Sequence, residues 1–466
     1  MKKSLLLFLV FVLILSITVT LLFAGGKRKD DEEAAEPAEE PAGEPAQEDI
    51  FSKPTELVFW WYGEEDAPGL SKYVQAACDA YKSLHPNITV NQVHQSSENV
   101  VPNFMAAAEV QSGPDIATVR YGVMNLEQVW AGNVAPISDY VSEEEMSHWI
   151  GKSFATYDDK VWSSDLYAFG FVILYHKDHF KDAGLDPEKL PVTWDEFMDV
   201  SDRLKKAGHD PFSLGFKGGW GFSLYSFYFY PQFLTFTNIL ETVAGKRSFA
   251  DPDAMWVWEK ADEYNKAGYF IRAATSVDLG ESWQEWRSGN GTMSLIPNQT
   301  AMMWLDELGA DKVGIMSFPT LTGKPMDWIP VAPVSEFITS WSPNKELAAD
   351  FLSFLHSEEI MSIMIQTMDS NLIPADDRFD MNLVKDPVKR QIFEWVHSGF
   401  KTGTWFTDGI IPFSILADGL IPGGQLLITG DLSPKEAAEK MEAAAEEWRF
   451  INPEVFESFK VWAGIK

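Results

Sequence analysis

The sequence predicts an α/β fold, a mostly parallel sheet flanked by helices, and three observations lead there. From residue 57 onward, strand-like and helix-like segments alternate, the pattern of repeated βα units. The chain has 466 residues, 45% of them hydrophobic, which is enough apolar material for a sizeable core and more than one domain. Its aromatic load is heavy, 18 Trp and 32 Phe. Much of that load falls at presumed strand ends and loops, where open α/β sheets bind their ligands.

The first strand is LVFWWY at 57–62, followed by a helix over 69–85. Successive strand side chains point to opposite faces. Phe59 and Trp61 therefore share one face and Val58 and Trp60 the other, and the carboxyl end presents Tyr62, Gly63 and Glu64. ITVNQV at 88–93 alternates apolar and polar residues as a second strand. A helix over 98–112 closes at Gly113-Pro114, and DIATV at 115–119 is a third strand. In PVTWDEFMDVSDRLKKAG, Thr193 and Glu196 form a capping box, Val192 and Phe197 a hydrophobic staple, and Gly208 a stop. In SPNKELAADFLSFL, Ser342 caps and Pro343 takes the first helical position, with Leu347, Phe351, Phe354 and Leu355 on one face. Ser433 and Glu436 form another capping box, before a stripe of Ala437, Met441, Ala444 and Trp448. Cys78 is the single cysteine, so no intrachain disulfide forms. It lies beside the stripe Leu70, Val74, Ala77, Tyr81 and Leu84 and reads as a small buried hydrophobe.

Charge and the N-terminus narrow the function classes. A net charge of −32 argues against a nucleic-acid partner. Lys2 and Lys3 precede an uncharged run from Ser4 to Phe23, followed by the small residues Ala24-Gly25-Gly26. Residues 1–24 thus read as an export signal, or as an uncleaved anchor, because the run is about long enough to span a bilayer. With no cysteine near residue 24, the chain is not a lipoprotein. Residues 25–53 are dominated by Lys/Arg, then Asp/Glu, Ala and Pro. This composition buries too little apolar surface to offset chain entropy, so it reads as a disordered linker.

Catalytic signatures are missing: no Gly-rich phosphate loop, nucleophile elbow or HExxH. His176 and His179 in YHKDHF have metal-like spacing but no third ligand, and read as a solvated surface pair. The glycosylation-like triplets at Asn87, Asn290 and Asn298 carry no weight of their own. With 69 acids, accidental carboxylate pairs are numerous, so a glycosidase pair cannot be read from the sequence. What remains is aromatic placement. Arg120 and Tyr121 end the third strand, Trp220 follows two glycines in KGGWGF, Trp283 and Trp286 lie in ESWQEW, and Trp328 follows a Gly-Lys-Pro turn. Aromatic faces suit the C–H faces of sugars, and nearby carboxylates and amides suit hydroxyls. The run WGFSLYSFYFYPQFLTF (220–236) is aromatic on every side and reads as packing.

Over residues 55–466 the chain resembles the bacterial extracellular solute-binding proteins of family 1, the sugar-binding class that serves ABC importers. ELVFWWYG, YKSLHPNITVNQV, EVQSGPDIATV, NVAPISDYV, LYHKDHFKDAGLDPEKLPVTWDEF, WRSGNGTMSLIPN, SWSPNKELAADFLSFL and ITGDLSPKEAAEKM occur in family order. His176 stands where the family usually has Asn. The resemblance implies a two-lobe periplasmic-binding-protein-like fold, each lobe a mostly parallel sheet flanked by helices, with the ligand cleft between them. Chain crossings near residues 165, 325 and 373 would make lobe one 54–165 plus 326–373, and lobe two 166–325 plus 374–466.

The resemblance also implies ligand contacts at Glu64 and Glu65, around Val119 to Val123, at Phe169, at Trp220, and at Asn298 and Gln299. Val119 and Gln299 stand where relatives often carry a stacking Trp, so Tyr121, Trp220 or Trp328 would stack instead. Tyr62, Arg120, Tyr121 and Trp283 complete the expected ligand-binding set, with Glu64 accepting from sugar hydroxyls and Arg120 donating. The function expected is capture of a sugar, an oligosaccharide or glycoside, by a monomer that delivers it to a membrane permease. No cofactor, metal or chemistry is implied. A secreted glycan hydrolase or lyase, or a ligand-sensing partner of a chemoreceptor, are the alternatives.

Overall fold

A computed structural model describes residues 49–97, 99–321, 323, 326, 328–403 and 405–466. The expected signal segment, the linker as far as residue 48 and part of the Gly-Lys-Pro turn lie outside the described residues. The expected crossing near residue 325 falls at that same turn.

Strand β1 (Thr55–Trp61) leads to helix α1 (Leu70–Leu84) and strand β2 (Ile88–His94). Helix α2 (Val100–Val110), β3 (Ile116–Thr118), α3 (Val123–Trp130) and the short β4 (Val134–Ala135) follow. Strand β5 (Ser164–His176) is 13 residues long. After it come helix α4 (Trp194–Ala207), β6 (Phe212–Ser213), α5 (Trp220–Phe233), β7 (Met293–Pro297), α6 (Asn298–Leu308) and β8 (Val313–Met316). Strand β9 (Val331–Thr339), α7 (Lys345–Leu355), α8 (Pro434–Ile451) and α9 (Pro453–Trp462) complete the frame.

The main sheet runs β2-β1-β3-β9-β5-β7-β6, with β4 on β9 and β8 on β5. It is mixed. β2, β1 and β3 are parallel, as are β6 and β7 at the other edge, whereas β9 and β5 are antiparallel to their neighbours. The first half of β5 pairs with β9 (Ser164 to Gly170) and its second half with β7 (Phe171 to Tyr175). One long strand therefore belongs to both halves of the sheet. Residue 373 lies alongside: the Ala168 N–H donates to the Ile373 carbonyl at 2.8 Å.

The first strand behaves as its alternation demands. Leu57, Phe59 and Trp61 are fully buried against α1 and α7, while Val58 and Trp60 on the other face are half-buried. A second layer, with Phe104, Leu126 and Phe337, covers the opposite face. The largest core surrounds the later half of β5 and β7 and absorbs most of the aromatic run of α5. Cys78 is buried in the α1 stripe, but Leu84, in the last turn, is 59% exposed. The capping boxes at Thr193/Glu196 and Ser433/Glu436 are both formed, and Gly208 ends α4. Val192 stays 43% exposed, so its side of the staple is open.

Two element ends differ from expectation. α2 stops at Val110 with Gln111 in the left-handed region, before Gly113 is reached. α7 starts at Lys345, not Pro343. The Ser342 hydroxyl donates to Asp115 Oδ1 at 2.6 Å and accepts from the Asn344 N–H, which fixes the chain before the helix begins.

Candidate functional site

The carboxyl ends of β1 and β3, the middle of β5, the start of α6 and the segment 405–409 converge on one region. Tyr62, at the end of β1, is buried, and the Arg120 guanidinium lies 5.0 Å from its ring centre. Arg120 also donates to the Ser97 carbonyl at 2.7 Å, while its Nε has no partner among the described residues. Tyr121 is buried and its hydroxyl donates to the Asp408 carboxylate, 2.8 and 2.9 Å from the two oxygens. Phe169 packs among Tyr121, Tyr167, Phe171 and Phe406, with ring centres 5.2–6.2 Å away.

The first residues of α6 face the same region. Asn298 Oδ1 accepts from the Gly170 N–H at 2.7 Å, and Thr300 Oγ1 donates to the Asp66 carbonyl at 3.0 Å. Between them Gln299 is 2% exposed. Neither end of its amide has a hydrogen-bond partner among the described residues, and neither has Asn298 Nδ2 or Thr407 Oγ1. Buried polar groups are nearly always paired. Four such atoms lie on the segments that meet at this region, which Phe169 and Phe406 wall with aromatic rings.

The electrostatics are mixed. Burial pushes the Asp66 carboxyl up to about 6 against the pull of Arg120. Burial likewise pushes Asp408 up to about 7, against the Tyr121 hydrogen bond and the Arg120 charge. Burial raises the hydroxyls of Tyr62, Tyr121 and Tyr167, so all three stay neutral donors.

The other expected residues go elsewhere. The Glu64 carboxylate accepts from the backbone N–H groups of Gly69 and Ser71, at 2.8 and 2.7 Å. It supplies the acceptor that Gly69, the N-cap of α1, lacks, and so it serves the helix. Glu65 is exposed, beside Ser97 and His94. Trp283 is buried in the core and donates its indole N–H to the Leu295 carbonyl at 2.8 Å, which places it behind β7. Trp220 is half-buried and opens α5 after Gly219, instead of sitting on a free loop. Trp328 is half-buried. Val119 is buried in the layer of Phe104 and Phe337. His176 and His179 are partly buried, not a solvated pair: they hydrogen-bond to the Trp286 carbonyl and Thr292. Among the described residues no group of three or more His, Cys, Asp or Glu could hold a metal ion, and no helix is long and apolar enough to cross a membrane.

Asp66, Tyr167, Phe406, Thr407 and Asp408 were not foreseen. Asp66 had a signal, as the last of the three acids after Gly63. FTDG at 406–409 had none, because nothing local marks a segment brought to the site from nearly 300 residues away.

The family model for bacterial extracellular solute-binding proteins matches residues 66–362, and the chain belongs to that family. It is a family of binding proteins that act outside the cytoplasm. Among curated relatives, the sn-glycerol-3-phosphate-binding periplasmic protein of Pectobacterium atrosepticum is 27% identical over 176 residues, 36% of this chain and 38% of the relative. Its Escherichia coli K12 counterpart is 26% identical over 175 residues, again 38% of the relative. The matched part thus spans under half the length of these relatives. Among solved structures, a chitin oligosaccharide binding protein superposes with a TM-score of 0.72 at 19% identity, covering 84% of this chain and 98% of that one. A cyclic α-maltosyl-1,6-maltose binding protein from Arthrobacter globiformis gives 0.64 at 18% identity, covering 87% and 100%. The fold is the two-lobe fold of this family.

Proposed function

We propose that the protein captures a neutral sugar, an oligosaccharide or glycoside, outside the cytoplasm and presents it to an ABC permease without altering it. The observation that carries this reading is Gln299, buried with both ends of its amide unpartnered beside Asn298, Thr407 and an aromatic wall. Tyr121 and Phe169 supply the wall, with Tyr62 and Arg120 at its end. The lobes divide as the sequence suggests, at β5, before β9 and near residue 373. Residues 1–24 direct export, and the protein works as a monomer. Closure is a population shift: a ligand touching both lobes favours the closed form.

The names of the relatives raise glycerol phosphate as a ligand. The site chemistry argues against it, because Arg120 is balanced by Asp66 and Asp408, and a phosphate dianion would be desolvated beside two carboxyl groups. The test is a thermal-shift and calorimetric panel of neutral mono- and oligosaccharides alongside sn-glycerol 3-phosphate, followed by product analysis. A neutral oligosaccharide should raise the melting temperature and be recovered intact. Binding of glycerol phosphate alone, or the appearance of cleavage products, would overturn the reading.

A further inference from the structure

The segment 121–130 meets the C-terminal part of the chain at several points along its length, and not all of that contact involves the ligand site. At one end is the Tyr121–Asp408 hydrogen bond. Next to it, Gly122 has φ 59°, and a Cβ there would fall 1.9 Å from the Gly409 carbonyl oxygen. Only glycine permits this approach of the two backbones. One helical turn on, Glu127 accepts from the indole N–H of Trp448 at 3.3 Å, and the Trp130 ring meets Phe459 edge-on at 6.3 Å. In the lobe division proposed above, every one of these contacts joins lobe one to lobe two.

We propose that Tyr121 and Asp408 form a latch that holds the two lobes together without ligand, with Glu127 and Trp448 as its second clasp. Asp408 and Glu127 are thus positioning residues, which set how often the closed form is populated. The inference rests on the lobe division but not on the identity of the ligand. A hydrogen bond to a charged group is strong enough to shift the closed-to-open ratio by about ten-fold or more.

The latch carries a proton signature. Tyr121, Tyr62 and Arg120 face Asp408, with Asp66 beyond them, and Glu127 is met by Trp448 and the Phe413 backbone. Burial raises both carboxyls to about 7 in the closed form. In the open form, exposed to water, both would return to the ordinary carboxylate range of about 4. Closing therefore takes up protons between about pH 4 and 7, and closure weakens as pH rises through that window.

The experiment is a distance measurement on the unliganded full chain, with spin labels introduced by V110C and K206C, one on each lobe. Both positions are exposed, and the native Cys78 is buried. The closed-to-open ratio should fall between pH 5.5 and pH 8 by about 30-fold for each carboxyl, several hundred-fold for the pair. Tyr121→Phe should lower it about ten-fold at pH 8, where Asp408 is charged. Asp408→Asn and Glu127→Gln, which keep an acceptor and lose the titration, should each flatten the pH dependence and together leave only the smaller part that Asp66 carries. If Tyr121→Phe does not fold, the pH comparison of wild type with the double amide variant still decides. Distance distributions that do not move with pH or with these variants overturn the latch, and leave the sugar reading untouched.

Discussion

Gln299 holds a primary amide, almost closed to solvent, with no hydrogen-bond partner among the described residues. Each such unpartnered group costs on the order of 1–3 kcal/mol in the free protein, so replacing it with an apolar residue of similar size should relieve the fold and harm binding. Gln299→Leu is expected to keep or raise the melting temperature of the unliganded protein and to weaken sugar binding ten- to a hundred-fold by calorimetry. A lower melting temperature with unchanged affinity would make Gln299 a structural residue. Glu64 should behave in the opposite way. Its two oxygens cap α1, so Glu64→Gln is expected to cost about 1 kcal/mol of stability and to leave affinity within about two-fold. A ten-fold loss of affinity without a stability change would return Glu64 to the ligand.

At the scale of elements, two helix starts that look alike in sequence differ in what they hold. Thr193 caps α4 locally, through its reciprocal bonds with Glu196. Ser342 ties the approach to α7 to Asp115, whose other oxygen accepts from the Val58 N–H of β1 at 2.8 Å. The Asp115 backbone in turn donates to the Val58 carbonyl and accepts from Thr339 at the end of β9. One carboxylate thus joins β1, β9 and the start of α7. Thr193→Ala should cost about 1 kcal/mol in denaturant unfolding. Ser342→Ala should cost more, about 2–3 kcal/mol, because a buried bond to a charged group is lost. Equal losses would show that Ser342 is a local cap only.

For the whole molecule, the buried acids decide the pH response. Burial raises Asp66 to about 6 and Asp165, Glu127 and Asp408 to about 7, and holds Glu336 well above the ordinary range. Such groups bind protons in the native state that the unfolded chain has released, so they lower stability as pH rises from about 4 to 7. Burial also lowers His356, His397 and His179, the last to about 4, and neutral buried histidines act the other way below about pH 6.5. Five acids against three histidines leave the acids dominant between pH 5 and 7, and Glu336 continues the trend above. The unliganded protein should therefore melt at a higher temperature at pH 5 than at pH 8. A melting temperature equal or higher at pH 8 would show that these carboxyls are solvated.

The sequence by itself determined the local elements and the class. Alternation placed Phe59 and Trp61 inside, and the capping boxes set where α4 and α8 begin. The ordered segments from ELVFWWYG to ITGDLSPKEAAEKM carried the family, because these signals are periodic or contiguous and depend on neighbours a few residues apart. Only the tertiary structure decided which polar groups face the ligand region and which complete the fold. Glu64 and Asp66 sit two residues apart in one acidic run, yet one caps a helix and the other approaches Arg120. In the sequence Trp283 reads like any loop aromatic, and only the fold places it behind β7. Tyr121 meets Asp408 only because β3 and the segment after residue 405 are folded to the same place. Partners this distant leave no periodic trace, since the free energy of a buried polar group depends on atoms that chain order does not bring together.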